Sequence, residues 1–374
     1  MDIRAVLQLM HTQKASDAFL SAGAPPHVRI DGRSHVVKTA ALTAAQLREV
    51  GFGMMTEAQQ KEFEVQQDIS FAVVLSGLGR FRVSLYMQRA EVAMAIRRIP
   101  AQVPQIDQLG LPEVASRAAM FQSGLVLVVG AAGSGKSTTL AAMVRHRAER
   151  AGGHILTIED PVEYVHQHAR SIVDQREVGL DTPSFAQALR SAMRQSPDMI
   201  VIGEIRDRES AQHALMFADT GHLCLATLHA TSANQALERM VNMFPEHARE
   251  QLFQDLALHL KSVIGQRLLP AEGGGRVLAT DYFARSAYLA DLIRDGRVGD
   301  IRDAMERGPD EQMQSFDQTL YALYRQGRIS LRNALHYAES QTNLGLKIRQ
   351  ADRHMMETAP LLTVHEAAPD ELSS

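Results

Sequence analysis

Eight residues, Gly130-Ala131-Ala132-Gly133-Ser134-Gly135-Lys136-Ser137, restrict what this chain can become more than any other stretch. They satisfy G-x-x-x-x-G-K-[ST] without a mismatch, and they lie in the context that gives the pattern meaning. Before them runs Leu125-Val126-Leu127-Val128-Val129, the continuous apolar stretch expected of a strand covered on both faces of a parallel sheet. After them, Thr138-Thr139-Leu140-Ala141-Ala142 opens a helix. Glycines let backbone N–H groups turn inward as an anion nest, and the helix N-terminus adds partial positive charge. The loop is therefore expected to hold a nucleoside triphosphate along Gly130–Ser137 and Thr138. Lys136 should reach the β- and γ-phosphates, and the Ser137 hydroxyl should ligate Mg²⁺.

The flanking pattern sets the fold class. Apolar runs recur at 154–158, Met199–Ile202 and Leu223–Leu228. Between them 184–195 reads as helix, with Thr182 or Ser184 near its start and Pro197 beyond its end. Strands alternating with helices imply an α/β domain with a mostly parallel sheet, assigned to 115–270. Upstream, Ile3, Val6, Leu7 and Met10 recur at helical spacing, while 79–86 alternates polar and apolar as a half-buried strand does. Residues 1–100 thus read as a small α+β domain, and Pro100, Pro104 and Pro112 punctuate a linker at 101–114. Beyond Phe244, Leu252, Leu256, Leu260, Val263 and Ile264 make one apolar helical stripe, and 271–350 is expected to be a helical C-terminal region. Residues 351–374 lack periodicity and are expected to form a disordered tail.

Acids and histidines follow the apolar runs. Met199-Ile200-Val201-Ile202-Gly203-Glu204 is a strand ending in an acid, which directs Glu204 toward Mg²⁺ and its waters, with Asp207 three residues on as a possible assistant. Ile158 is followed by Glu159, Asp160 and Glu163, three acids placed to orient or deprotonate a water in line with a γ-phosphate. His229 ends its strand where a γ-phosphate sensor would sit, whereas His222 lies at the opposite end and reads as structural.

Composition closes several alternatives. A formal net charge of −4 and the absence of tryptophan leave little for a nucleic-acid surface of basic and stacking residues. A solitary cysteine, Cys224, excludes an internal disulfide and a multi-cysteine zinc site, and its strand position suggests an unreactive buried thiol. The apolar stretch at 124–132 is far shorter than the ~20 residues that cross a bilayer. The opening MDIRAVLQLM has no long apolar segment of the secretory kind, so the chain is expected in the cytoplasm.

Taken in order, GAAGSGKS, ILTIEDPVEYVH, MIVIGEIRD and TGHLCLATLHA resemble the Walker A, Asp-box, Walker B and His-box motifs of the secretion ATPases. The likeness extends from Ser16-Asp17 and 22–26 to about Ile329. Length and the single cysteine leave no room for the long N-terminal extension and four-cysteine zinc site common in assembly-type members. The chain is thus similar to the compact retraction branch of PilT and PilU types, and most like the PilU type. That resemblance implies a PAS-like N-terminal domain before a RecA-like P-loop core, ATP and Mg²⁺ as cofactors, and a homo-hexamer at the inner face of the inner membrane. It implies a PilT-type motor and the inner-membrane pilus platform protein as partners, and no nucleic acid. It assigns Glu163 to water activation, Glu204 to the Mg²⁺ shell, His229 to the γ-phosphate, and Arg82 and Arg97 to the nucleotide from the N-terminal domain. Other readings are a nucleotide-bound adaptor of the PilT ring that does not hydrolyse, and a RecA-like DNA translocase.

The resemblance departs in two places. Ser16-Asp17 is followed by Ala18-Phe19 instead of Leu-His. The A-I-R-N-L-I-R-E helix survives only as Leu289-Ala290-Asp291-Leu292-Ile293-Arg294-Asp295.

Overall fold

The computed structural model describes residues 2–30, 32–100, 102–307 and 312–358. Its N-terminal part runs α1 (Ile3–Thr12), β1 (Asp17–Leu20), β2 (His27–Ile30), β3 (Arg33–Val36), α2 (Ala44–Met54), α3 (Glu57–Gln66), β4 (Asp68–Leu75), β5 (Gly79–Gln88) and β6 (Glu91–Ile99). The strands form one antiparallel sheet in the order β3-β2-β1-β6-β5-β4. Alternation in β5 buries Phe81, Val83 and Leu85 and turns Arg80, Arg82 and Ser84 to the other face. Thr43 with Gln46 and Thr56 with Gln59 close capping boxes that start α2 and α3.

The remainder is built on an eight-stranded sheet. Its elements are α4 (Glu113–Ala119), β7 (Gly124–Val129), α5 (Lys136–Arg150), β8 (Gly153–Glu159), β9 (Ser171–Glu177), α6 (Phe185–Ala192), β10 (Met199–Ile202), α7 (Arg208–Asp219), β11 (Leu223–Leu228) and α8 (Ala233–Asn242). There follow α9 (Arg249–His259), β12 (Leu260–Pro270), β13 (Arg276–Ala284), α10 (Ala287–Arg294), α11 (Asp300–Glu306), β14 (Met313–Gln314), α12 (Phe316–Arg325), α13 (Leu331–Tyr337) and α14 (Gln341–Thr358). The strand order is β14-β13-β12-β7-β11-β10-β8-β9, parallel from β12 to β9 and antiparallel at β13 and β14. Every residue of β7, β10 and β11 is buried, because apolar clusters cover both faces. The expected α+β region followed by a largely parallel α/β core and C-terminal helices is the architecture observed.

Three local expectations are corrected. The stripe from Leu252 to Ile264 is helical only through His259; Leu260, Val263 and Ile264 belong to β12, which pairs with β7. A strand buried on both faces shows no clean alternation, so its apolar residues merge with a helical stripe. Within 271–350, β13 pairs with β12 from Arg276 to Ala284, so the sheet continues past residue 270. Of the expected tail, 351–358 belongs to α14 and 359–374 lies outside the described residues.

Between the two sheets, Arg145 of α5 donates to the Val103 carbonyl (2.5 Å), tying the linker to the helix behind the glycine-rich loop.

Candidate nucleotide-binding and hydrolysis site

Four neighbouring parallel strands, β7-β11-β10-β8, bring their carboxyl ends to one edge of the core sheet. The glycine-rich loop follows β7, His229 follows β11, Glu204 stands just beyond β10, and Glu159 closes β8. Ligands of open parallel sheets collect at this edge.

The loop's glycines serve different needs. Gly133 and Gly135 take φ of 76° and 92°, which favour residues without a Cβ, and α5 begins directly after Gly135. A Cβ on Gly130 would sit 2.6 Å from the Gln266 carbonyl oxygen, so close packing against β12 requires glycine there. Gln266 in turn donates through Nε2 to the Ser134 carbonyl at 2.7 Å, a buried bond that sets the loop's height over the sheet. Lys136 is buried, and its Nζ donates to the Gly130 and Ala131 carbonyls, each at 3.0 Å. Burial lowers the Lys136 pKa, while Glu204 and Glu163 pull it back up. Thr138 Oγ1 lies 2.8 Å from the Tyr164 hydroxyl, joining the first turn of α5 to the Asp box.

Glu204 sits between two partners. Its Oε1 is 3.0 Å from His229 Nε2, and its Oε2 accepts from Arg206 Nε at 3.0 Å. Arg206 also donates through Nη1 to Asp160 Oδ2 at 2.9 Å, which links the acid after β10 to the loop after β8. Asp207 instead caps α7, accepting the Ser210 N–H at 2.8 Å, and this bond holds its carboxyl below the usual range. It is therefore committed to the helix and not to assisting Glu204.

The three acids of the Asp box part company. Glu159 is half-buried, and desolvation raises its pKa against hydrogen bonds from Thr157 (2.7 Å) and Gln175 (3.1 Å). Asp160 is engaged by Arg206, and Glu163 is exposed on the wall of the cavity.

That cavity has a volume of about 780 Å³. Lys136, Ser137, Thr138, Glu163, Glu204 and His229 line one side; Ser16, Asp17, Arg29 and Arg97 of the N-terminal sheet line the other. Gly130 and Ala131 face a neighbouring 380 Å³ hollow that also holds His229 and Arg239. Asp17 organises the N-terminal wall, its carboxylate accepting from Arg97 Nε at 2.9 Å and Arg29 Nη1 at 3.5 Å. Arg82 is the cross-strand partner of Arg97 and is half-buried; it is not among the residues that line the cavity. His222 is turned away, its Nδ1 3.0 Å from the Thr220 hydroxyl at the far end of β11. Cys224 is fully buried, and burial pushes its thiol pKa far up, leaving no thiolate for chemistry.

Sequence reading missed Arg29, Arg206 and Gln266. Only Arg206 carried a local signal, two residues after Glu204; the others reach the site through strand register, which no short motif records.

The fold and the site together define a P-loop ATPase. A family model described as "Type II/IV secretion system protein" matches residues 2–296. The type IV pilus ATPase PilU of Pseudomonas aeruginosa is 46% identical over 350 residues, covering 93% of this chain and 92% of that one. The retraction ATPase PilT of the same organism is 40% identical over 343 residues, covering 92% and 100%. A crystal structure of the pilus retraction motor PilT with bound ADP superposes with a TM-score of 0.86 at 40% identity, covering 92% of this chain and 99% of that one. The chain belongs to the type II/IV secretion ATPase family, in its PilT/PilU branch.

Proposed function

We propose that this chain hydrolyses ATP as a subunit of a homo-hexameric motor that drives type IV pilus retraction in twitching motility, working beside a PilT-type motor. It would act in the cytoplasm at the inner face of the inner membrane, through the pilus platform protein and without nucleic acid. Among the described residues no helix is long and apolar enough to cross a membrane, which accords with a peripheral attachment. In this reading 1–100 is the N-terminal PAS-like domain, 101–114 the linker, and 115–270 the RecA-like core, extended by β13 and β14; 271–350 adds the C-terminal helices and 351–374 the tail.

One observation carries the reading: side chains from four strand ends of the core and from the N-terminal sheet meet at one cavity. Lys136 and the loop N–H groups bind the phosphates from Gly130 to Thr138, and their charge favours the polyanion. Ser137 and Glu204 offer the hard oxygen donors that suit Mg²⁺, which when bound supplies charge neutralisation at the phosphate oxygens. Glu163 orients a water and takes its proton. His229, 3.0 Å from Glu204, monitors the γ-phosphate end of the site. Arg97, with Arg82 behind it, adds positive charge from the N-terminal domain and couples its position to the nucleotide. The 46% identity to PilU and the likeness to the ADP-bound PilT motor support the assignment.

The test is steady-state Mg²⁺-ATP turnover of the full chain beside Lys136→Ala and Glu163→Gln, alone and with a PilT-type partner. Turnover in the parent and a loss of about 10²-fold or more in both variants is expected. No turnover in the parent under either condition would sink the motor and favour a nucleotide-bound adaptor. Stimulation by DNA would point to a translocase instead.

A further inference from the structure

The carboxylate oxygen that Arg80 reaches also holds the backbone of the Asp box. Arg80 lies on β5 in the N-terminal sheet, and its Nη2 donates to Glu177 Oε2 at 2.9 Å. Glu177 is the last residue of β9, paired in register with Glu159 of β8. The same Oε2 accepts the Val162 N–H at 3.2 Å, one residue before Glu163. Side chains of the ion pair are only 22% and 10% exposed, so water screens this link far less than the ion pairs on the surface.

Glu177 is itself fixed from the core side. Its N–H donates to Asp181 Oδ2 at 2.9 Å, and Val178 N–H donates to the Glu159 carbonyl at 2.9 Å. The end of β9 thus offers one oxygen to two parties: the N-terminal sheet and the loop that carries Glu163. Arg80 Nε is buried and without a hydrogen-bond partner among the described residues, so the guanidinium's link to the core runs through Nη2.

We propose that Arg80 and Glu177 are positioning residues for the Asp box: the N-terminal domain, through Arg80, sets the loop that presents Glu163 to the cavity. Neither residue lines the cavity. The pair acts because Arg80 fixes the rotamer of the Glu177 carboxylate, which keeps Oε2 aimed at the Val162 amide. A swing of the N-terminal sheet that withdraws Arg80 frees the carboxylate, and the loop before Glu163 loosens. Hydrolysis would then depend on domain position through the hydrolytic carboxylate as well as through the arginines at the cavity. The proposal rests on Glu163 acting on water, as proposed above.

The experiment uses the full chain as Arg80→Met, Arg80→Lys, Glu177→Gln and the Arg80→Met/Glu177→Gln pair, with Glu163→Gln alongside. Readouts are ATP turnover, affinity for a fluorescent ADP analogue, and amide hydrogen exchange across 159–166. Arg80→Met should lower kcat about tenfold with KM and ADP affinity within about twofold, because a small misplacement of a catalytic group costs rate more than binding. Exchange across 159–166 should rise about fivefold or more, since a weakly held loop opens locally. Arg80→Lys, which keeps one charged donor, should recover most of the rate, and the double variant should fall no further than the worse single one. Unchanged exchange and turnover in a folded Arg80→Met, or additive losses in the double variant, would overturn the proposal. Should Arg80→Met not fold, Arg80→Lys against Glu177→Gln decides by the same exchange readout. Full turnover in Glu163→Gln would instead discard the role of Glu163 itself, whatever the exchange at Val162 shows.

Discussion

Asp281 is the buried acid with the most to say about single residues. It stands on β13, fully buried, and its Oδ2 accepts the Ala233 N–H at the start of α8 at 2.7 Å. Its Oδ1 has no partner among the described residues. Burial pushes its pKa up to about 8, Glu339 adds to the rise, and Ala233 N–H and Arg267 oppose it. The sign follows from proton uptake. Between the unfolded value of about 4 and the folded value, the native chain holds a proton that the unfolded chain has lost, so this group withdraws stability as pH rises through that window. Asp281→Asn cannot ionise, and it keeps an oxygen for Ala233. Melting temperatures from pH 5 to pH 8.5 should therefore shift in the variant's favour relative to the parent as pH rises. A difference that stays constant across that range would remove the assignment. This acid was not legible in the sequence, and Arg206 carried only its place two residues after Glu204, whereas Lys136, Glu163, Glu204 and His229 were named there and the cavity gathers them. The distinction is physical: phosphate chemistry demands certain residue types at certain spacings after a strand, while a buried acid is placed by the register of β12 and β13.

At the scale of elements, the loop after β7 is held from below by β12. Gly130→Ala would bring a Cβ within 2.6 Å of the Gln266 carbonyl, a backbone atom that cannot swing aside. The loop must lift, which costs about 1–3 kcal/mol of stability by overpacking. The N–H groups would also lose their convergence, and ADP affinity should drop about tenfold or more while secondary structure persists, since the anion nest depends on their aim. Wild-type affinity in a folded Gly130→Ala, read by fluorescent-nucleotide titration, would show that the close approach to β12 does not shape the loop. The element that matters here, β12, was among those misread. Its first residues continue the apolar stripe of α9, and because the strand is buried on both faces no period of two marks the switch at Leu260. The glycine-rich loop, in contrast, advertised its strand and helix on either side, and the alternation in β5 gave the N-terminal sheet away.

At the scale of the whole molecule, the site belongs to neither sheet alone. Arg97 stands on β6 of the N-terminal sheet, yet it lines the cavity of the glycine-rich loop. Its side chain is 65% exposed, while that of its partner Asp17 is 11% exposed and also accepts from Arg29. Because Arg29 still meets the same carboxylate, Arg97→Ala should leave stability within about 1 kcal/mol of the parent. If the N-terminal domain contributes charge to the transferring phosphoryl group, turnover should fall at least tenfold, with ADP affinity less affected, because a guanidinium matters most where charge develops. Arg97→Lys should recover only part of the rate, since an ammonium lacks the planar fork that grips two oxygens and Asp17 together. Melting curves beside kcat and KM decide between the two roles of this residue. Loss of stability with unchanged kcat would make Arg97 a fastening of β6 to β1, and the two sheets would then be joined by the Arg80–Glu177 contact and the linker, not by the nucleotide. Loss of kcat with unchanged stability would make ATP the bond between domains, so that each hydrolysis releases one domain from the other and leaves the sheets themselves intact.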